Sequence, residues 1–184
     1  MLLTRGYAVA DADRFARLAV CPGSPGEKQV IKAFGKEIAD KAGNIDRAKL
    51  GKLVFADPEL LKKLEKIVHP LVQEMTKKNR EDFERLGHKV AFYDVPLLFE
   101  KQMEPQFDAI IVVHADLENC VGRVMKRNKL KRKDVEARIK NQLAIEHKIK
   151  RAHYTIANNG TLPDLELELE KVLQDIGRKL LVSG

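Results

Sequence analysis

The sequence predicts an α/β fold built on a parallel sheet, and three observations carry that expectation. Short apolar runs such as Val90-Ala91-Phe92-Tyr93 show no alternation of apolar and polar residues, the pattern of strands covered on both faces. Between such runs lie long stretches with apolar residues at helical spacing, and strands that alternate with helices build βαβ units. One run also ends in an acid, Asp94, with Pro96 two residues on. Ligands of open α/β sheets sit outside the carboxyl ends of the strands, which gives Asp94 a ligand-facing role; an Asp-x-Pro turn is the equal alternative.

The elements follow in order. Residues 7–10 read as a short strand running into Asp11-Ala12-Asp13, and from Arg14 the pattern turns helical. Residues 21–26, CPGSPG, form a turn-rich loop. A helix starts at Asp57 with Pro58 in its first position. A second helix is expected to open at Pro70, because a proline pushes the residue before it out of helical geometry. Leu71, Met75, Phe83 and Leu86 supply its apolar positions, and Gly87 ends it. Strands follow at 90–93 and 109–113. Leu117, Cys120, Val121, Val124 and Met125 then repeat at the spacing of one apolar helix face. Arg123 and Arg127 fall four apart on one side of that helix. A basic helix is expected over about 133–151, a last strand over 154–157, a turn at Asn158-Asn159-Gly160, and an amphipathic helix over 162–176. The helical stretch from Arg14 to Leu86 looks like an insertion beside the sheet.

A chain of 184 residues suffices for one domain with a full core. With 44% hydrophobic and 33% charged residues it reads as soluble and globular, and no apolar run approaches the roughly 18 residues of a membrane span. The first residues carry no pattern of a secretion signal, so the cytoplasm is the expected location. Cys21 and Cys120 form no C-x-x-C pair, which argues against a zinc site or a disulfide framework and favours buried structural thiols, leaving a single pairing open. The net charge of +7 sits in one segment: residues 121–152 hold twelve Lys and Arg against three Asp and Glu. Such a block suits an anionic partner, polyphosphate or nucleic acid, or else forms a solvated helical face.

Four motifs stand in order: DADRFAR after the first strand, IVHPL in the helical insertion, DVPLLFE after the second strand, and RVMKRN followed by EARIKNQ in the basic segment. With FADPE and IANNG added, this set resembles the dephospho-CoA kinase family of P-loop kinases over nearly the whole chain. The resemblance implies a single P-loop-kinase-like domain over 1–184, with a helical acceptor-binding insertion at about 14–87 and a basic lid at about 121–151. It implies transfer of the γ-phosphoryl of ATP, with Mg²⁺, to the ribose 3′-hydroxyl of dephospho-CoA. Asp13 would then be the base, Asp11 its neighbour, and Asp94 an acid near Mg²⁺ and the phosphates; the alternative for the first pair is that Asp13 only caps the following helix. Arg17, His69, Pro96 and Leu97 would face the acceptor, although Arg17 also fits an exposed helix arginine and His69 a structural histidine. Arg123, Arg127 and Arg138 would meet ATP phosphates through guanidinium forks, and Asn158 and Gly160 would lie near the adenine. No residue is assigned as a protein metal ligand, and neither a membrane nor nucleic acid is an expected partner.

One feature of that family is not found. Of the two Gly-Lys pairs, Gly35-Lys36 is followed by Glu37 and Gly51-Lys52 by Leu53, and neither has a glycine five residues before it, so the 184 residues hold no G-x-x-x-x-G-K-[ST] loop. The economical expectation is a start assigned to an internal methionine, with weak phosphate transfer and poor stability in the chain as written. A non-catalytic relative whose basic helices bind RNA or another polyanion is the rival reading. A total of 5% aromatic residues, none among residues 126–140, argues against a base-stacking surface.

Overall fold

The computed structural model describes residues 1–182. They fall into two compact units, Met1–Pro96 and Leu97–Gly184. The expected helical insertion lies wholly in the first and the basic segment wholly in the second. No helix among the described residues is long and apolar enough to cross a membrane.

In the first unit, β1 (Ala8–Asp11) pairs in parallel with β2 (Ala91–Asp94), Ala8 opposite Ala91 and Asp11 opposite Asp94. Both strands begin one residue later than the sequence suggested. β2 is also not covered on both faces as its apolar run implied: Ala91 and Asp94 are exposed, Phe92 and Tyr93 half-buried. An apolar run makes a strand but does not fix how completely other elements cover its faces: in the partner β1, Ala8 and Ala10 are buried. Between the strands come α1 (Ala12–Ala19), α2 (Pro25–Phe34), α3 (Arg47–Ala56) and α4 (Pro58–Arg85).

Local chemistry sets these boundaries. Ser24 caps α2 by accepting the Glu27 N–H at 3.0 Å, and Pro25 takes the first helical position, so Pro25 and Gly26 belong to the helix and not to the loop expected there. Glu27 reaches back to accept the Gly23 N–H at 2.7 Å, as in a capping box, and also takes the Ile45 N–H at 3.1 Å. It is 5% exposed, so both bonds are made in a setting poor in water. Gly26 lets α2 approach closely: a Cβ there would strike the Ala19 carbonyl oxygen and lie 2.6 Å from Leu71 Cδ1. Val30, Phe34, Ile38, Leu50 and Val54 form the core of this unit, with Leu60, Leu61, Leu64 and Ile67 of α4 packed against it.

The expected helix break at Pro70 does not occur. α4 is one helix of 28 residues, with Pro70 inside it, capped by Asp57 at one end and closed by Leu86 and Gly87, whose φ of +79° suits glycine at the other. A proline in a helix interior forfeits one backbone bond at a cost of about 3 kcal/mol. Here apolar packing holds both sides of the site. Leu60, Leu64 and Ile67 before it meet the core, while Leu71 after it lies against α2 and Thr76 Oγ1 bonds the Tyr93 hydroxyl of β2 at 2.9 Å.

In the second unit, β3 (Ile111–His114) pairs in parallel with β4 (Tyr154–Ala157), Ile111 opposite Tyr154. The four strands thus form two two-stranded sheets where one sheet was expected. α5 (Leu117–Asn128), α6 (Arg132–Lys140) and α7 (Ile145–Arg151) connect β3 to β4, and α8 (Leu162–Val182) follows. Of the apolar stripe read on α5, Val121 is buried and Leu117 is exposed. The single basic helix expected over 133–151 is two: α6 ends at Lys140, and the Leu143 N–H, which would continue a helix, is instead taken by Glu100 at 3.0 Å. The buried apolar residues of this unit include Leu98, Phe99, Ile110, Val112, Val121, Val135, Ile156, Leu169, Val172 and Leu173. Cys21 and Cys120 are free, as expected, but half-buried and not fully enclosed.

Glu27→Ala is expected to lower stability by about 1–3 kcal/mol in total, since it takes the acceptor from the half-buried Ile45 N–H and from the Gly23 N–H, which stands nearer solvent. Urea unfolding read by circular dichroism measures this, and an unchanged midpoint would show that water replaces the carboxylate.

Candidate active site

The parallel register of β1 and β2 brings Asp11 and Asp94 side by side at the carboxyl ends of both strands. Asp11 is the last residue of β1 and also the cap of α1, accepting the Arg14 N–H at 2.9 Å. Asp13 is therefore not the cap: it stands exposed in the first turn of α1, its carboxylate outside that bond. One acid satisfies the helix start and the second is left over for other chemistry. Asp94 keeps part of its surface in solvent, yet its proton affinity is raised, first by the water it loses at the rim and then by the charges of Asp11 and Asp13. The charges of both neighbours thus reach Asp94, although no three acids, histidines or cysteines among the described residues are arranged to hold a metal ion.

A cavity of about 290 Å³ opens at this rim, lined by Val9, Asp11, Arg14, Phe15, Asn79 and Asp94, among others. Sequence reading passed over three of these. Arg14 and Phe15 lie three and four residues beyond Asp11, and that helical spacing was the available signal. Asn79 had none, being one polar residue in a charged helix. Its Oδ1 is buried and has no hydrogen-bond partner among the described residues.

Of the expected acceptor residues, Arg17 is exposed in the last turn of α1, where its carbonyl accepts from Arg47 Nη2 at 3.1 Å. His69 is an exposed residue in the middle of α4, with Nε2 3.8 Å from Glu65 Oε1, and not a residue ahead of a helix start. Pro96 and Leu97 lie exposed in the turn after β2.

In the second unit, Arg123 Nη1 donates to the Asn158 carbonyl at 2.7 Å, so this arginine is engaged in holding the turn after β4. The neighbouring Asn159, which sequence reading left out, clasps Asp116 reciprocally: the Asp116 N–H donates to its Oδ1 at 2.8 Å and its Nδ2 donates to Asp116 Oδ1 at 2.9 Å. Asn158 and Gly160 thus flank a residue pinned to the start of α5. Among the described residues Arg127, in the last turn of α5, donates through Nε to its neighbour Asn128, and Arg138 is exposed in the last turn of α6. The three arginines expected of a lid are not equivalent: Arg123 is committed to the fold, while Arg127 and Arg138 form no ion pair with a carboxylate among the described residues.

Since folding raises the proton affinity of Asp94, the stability this residue supplies is fully present below its unfolded pKa, about 3.9, and is lost as pH rises through the higher folded value. Asp94→Asn is accordingly expected to melt above the wild type at pH 7, with the gap closing as pH falls below about 4. Calorimetric melting across pH 3 to 8 checks the sign, and a variant that melts lower at pH 7 would show Asp94 to be favourably paired.

The dephospho-CoA kinase family model matches residues 1–164. A dephospho-CoA kinase from Bdellovibrio bacteriovorus is 43% identical over 174 residues, covering 95% of this chain and 86% of its own length. One from Listeria monocytogenes is 43% identical over 162 residues, with 88% and 81% covered. Among solved structures, a Thermus thermophilus protein superposes with a TM-score of 0.77 at 39% identity over 95% of this chain and 87% of that one. A dephospho-CoA kinase from Campylobacter jejuni gives 0.70 at 27% identity over 97% and 89%. The α/β P-loop-kinase fold read from the sequence is therefore correct, while neither the expected weak activity nor the polyanion-binding alternative draws support from these matches. The chain belongs to the dephospho-CoA kinase family.

Proposed function

We propose that the chain transfers the γ-phosphoryl of ATP to the ribose 3′-hydroxyl of dephospho-CoA, giving coenzyme A, the reaction named by its relatives. The observation that carries this reading is the meeting of Asp11, Asp13 and Asp94 at the carboxyl rim of a parallel strand pair. Phosphoryl transfer asks little covalent chemistry of the protein; it asks for position, for charge opposite the phosphates, and for a place to put the hydroxyl proton. Asp13 takes that proton. It is exposed, it is spared from capping, and it follows the strand end by two residues. Asp11 keeps the first turn of α1 in place through the Arg14 N–H.

Asp94 gains most from a cation, because burial and two acid neighbours disfavour its charge. The donor set fits Mg²⁺, an ion that commonly takes one or two carboxylates and completes its shell with water and phosphate oxygens. When bound there it would neutralise charge on the transferring group. Arg127 and Arg138 meet the phosphates, with Arg123 acting through the Asn158 turn that, with Gly160, borders the adenine. Arg17, His69, Pro96 and Leu97 form the acceptor side. A cytoplasmic location agrees with two unpaired cysteines, as expected where thiols are kept reduced.

Asp13→Asn is expected to lower kcat for dephospho-CoA phosphorylation by roughly 10²–10⁴ with little change in ATP affinity, the usual worth of a positioned base. Coupled detection of ADP release gives kcat, and titration with a fluorescent ATP analogue gives the affinity. Turnover close to wild type would reduce Asp13 to a surface acid and remove the base from this scheme.

A further inference from the structure

The second unit contains a buried ion pair that the proposed chemistry does not use. Lys148 of α7 is 8% exposed, a rare state for lysine, and its Nζ lies 2.6 Å from Glu100 Oε1. The same oxygen accepts the Leu143 N–H at 3.0 Å, a bond across 43 positions of chain that lands in the joint between α6 and α7. A second pair stands beside it: Arg151 bonds Glu104, and its guanidinium lies 5.2 Å from the centre of the Phe99 ring. Leu98 and Phe99 are buried, which roots the stretch carrying both acids in the unit.

A buried ion pair is a poor way to gain stability, because apolar residues of equal volume commonly do as well. What it supplies is a single permitted arrangement. The joint at 141–144 is otherwise held by local bonds, such as the Gln142 N–H to the Ile139 carbonyl at 3.0 Å. Arg138 sits three residues before that joint, in the last turn of α6. We infer that Glu100 is a positioning residue for phosphoryl transfer: by holding Leu143 and Lys148 on one carboxylate oxygen it fixes the α6–α7 joint and thereby the placement of Arg138. Burial favours the protonated acid, but the Lys148 bond and the backbone N–H groups outweigh it and hold the Glu100 carboxyl below its usual range.

This inference rests on the reading of α6 as a lid that presents arginine to ATP, and its test separates the two. Glu100→Met with Lys148→Met removes both charges together, leaving no orphaned ion to unfold the chain. Hydrogen exchange at the Leu143 amide is expected to quicken about tenfold or more in this variant, with Val112 and Ile156 unchanged. Glu100→Gln with Lys148→Met restores an acceptor for that N–H and is expected to slow the exchange again. In turnover, the Met pair is expected to cost roughly 10–100-fold in kcat, the scale of a misplaced phosphate contact, without changing the dissociation constant of dephospho-CoA measured by calorimetry. If Glu100 acts through Arg138, the loss disappears in an Arg138→Ala background. Unchanged exchange at Leu143, or losses that simply add, overturns the inference. A wild type without kinase activity would sink the functional reading instead, and the exchange measurement, which needs no turnover, still decides whether Glu100 holds the joint.

Discussion

Two strands that pair in parallel put both carboxyl ends at one rim, and the chain must return through a dozen or more residues before it can pair again. That constraint shapes both units. Between β1 and β2 the return runs through four helices, and between β3 and β4 through three. Everything of chemical interest in the first unit follows from the register it imposes. Because Asp11 stands opposite Asp94, the residues that leave each strand start from one place, and α1, capped by Asp11 itself, carries Asp13 only two positions further. A slip of one residue would turn every side chain of a strand to the other face. The hydrogen bond between the Tyr93 hydroxyl and Thr76 Oγ1 ties β2 to α4 in the observed register.

Three carboxylates at one rim oppose folding to some degree. Asp94 bears the burden, with burial and both neighbours working against its charge. Such a cluster is sensible only where a positive partner arrives from outside, and it is in sites of this sort that shifted proton affinities gather. A polyphosphate with its cation is the partner that the family implies. The three acids are not equivalent: Asp11 gives its carboxylate to the helix start and Asp13 stands outside that bond; on the function proposed above, Asp13 would take a proton and Asp94 would face a cation.

The basic segment divides similarly. Arg132 is taken by Glu118 and Glu136, Arg123 by a carbonyl, Arg151 by Glu104 and Lys148 by Glu100. These cations bind the helices to one another and to the loop after β2. A local excess of positive charge read from composition therefore overstates what is free to meet a ligand. The pairs on the surface, such as Arg132 with Glu118, contribute little to stability at physiological salt. The enclosed ones restrict geometry.

How far the sequence reaches is clearest at Pro58 and Pro70. Asp57-Pro58 sets a helix start by itself, because the Asp carboxylate caps the first N–H groups and the proline needs no donor there. The strands read at 90–93, 109–113 and 154–157 form at 91–94, 111–114 and 154–157, so their existence was legible and two of their starts were not, since strand composition acts over a few residues and pairing sets the ends. Pro70 was misread because what keeps α4 continuous through it is packing against α2 and the core, which local preference does not record. The division of 133–151 into two helices has the same origin, a carboxylate 43 residues away that claims the Leu143 N–H. The sequence by itself determined the α/β class, the family and the acids at the rim. Only the tertiary structure decided that Asp11 caps and Asp13 does not, that Arg123 serves the fold, and that Asn79 lines the cavity, because each of these depends on which distant groups come within hydrogen-bonding reach.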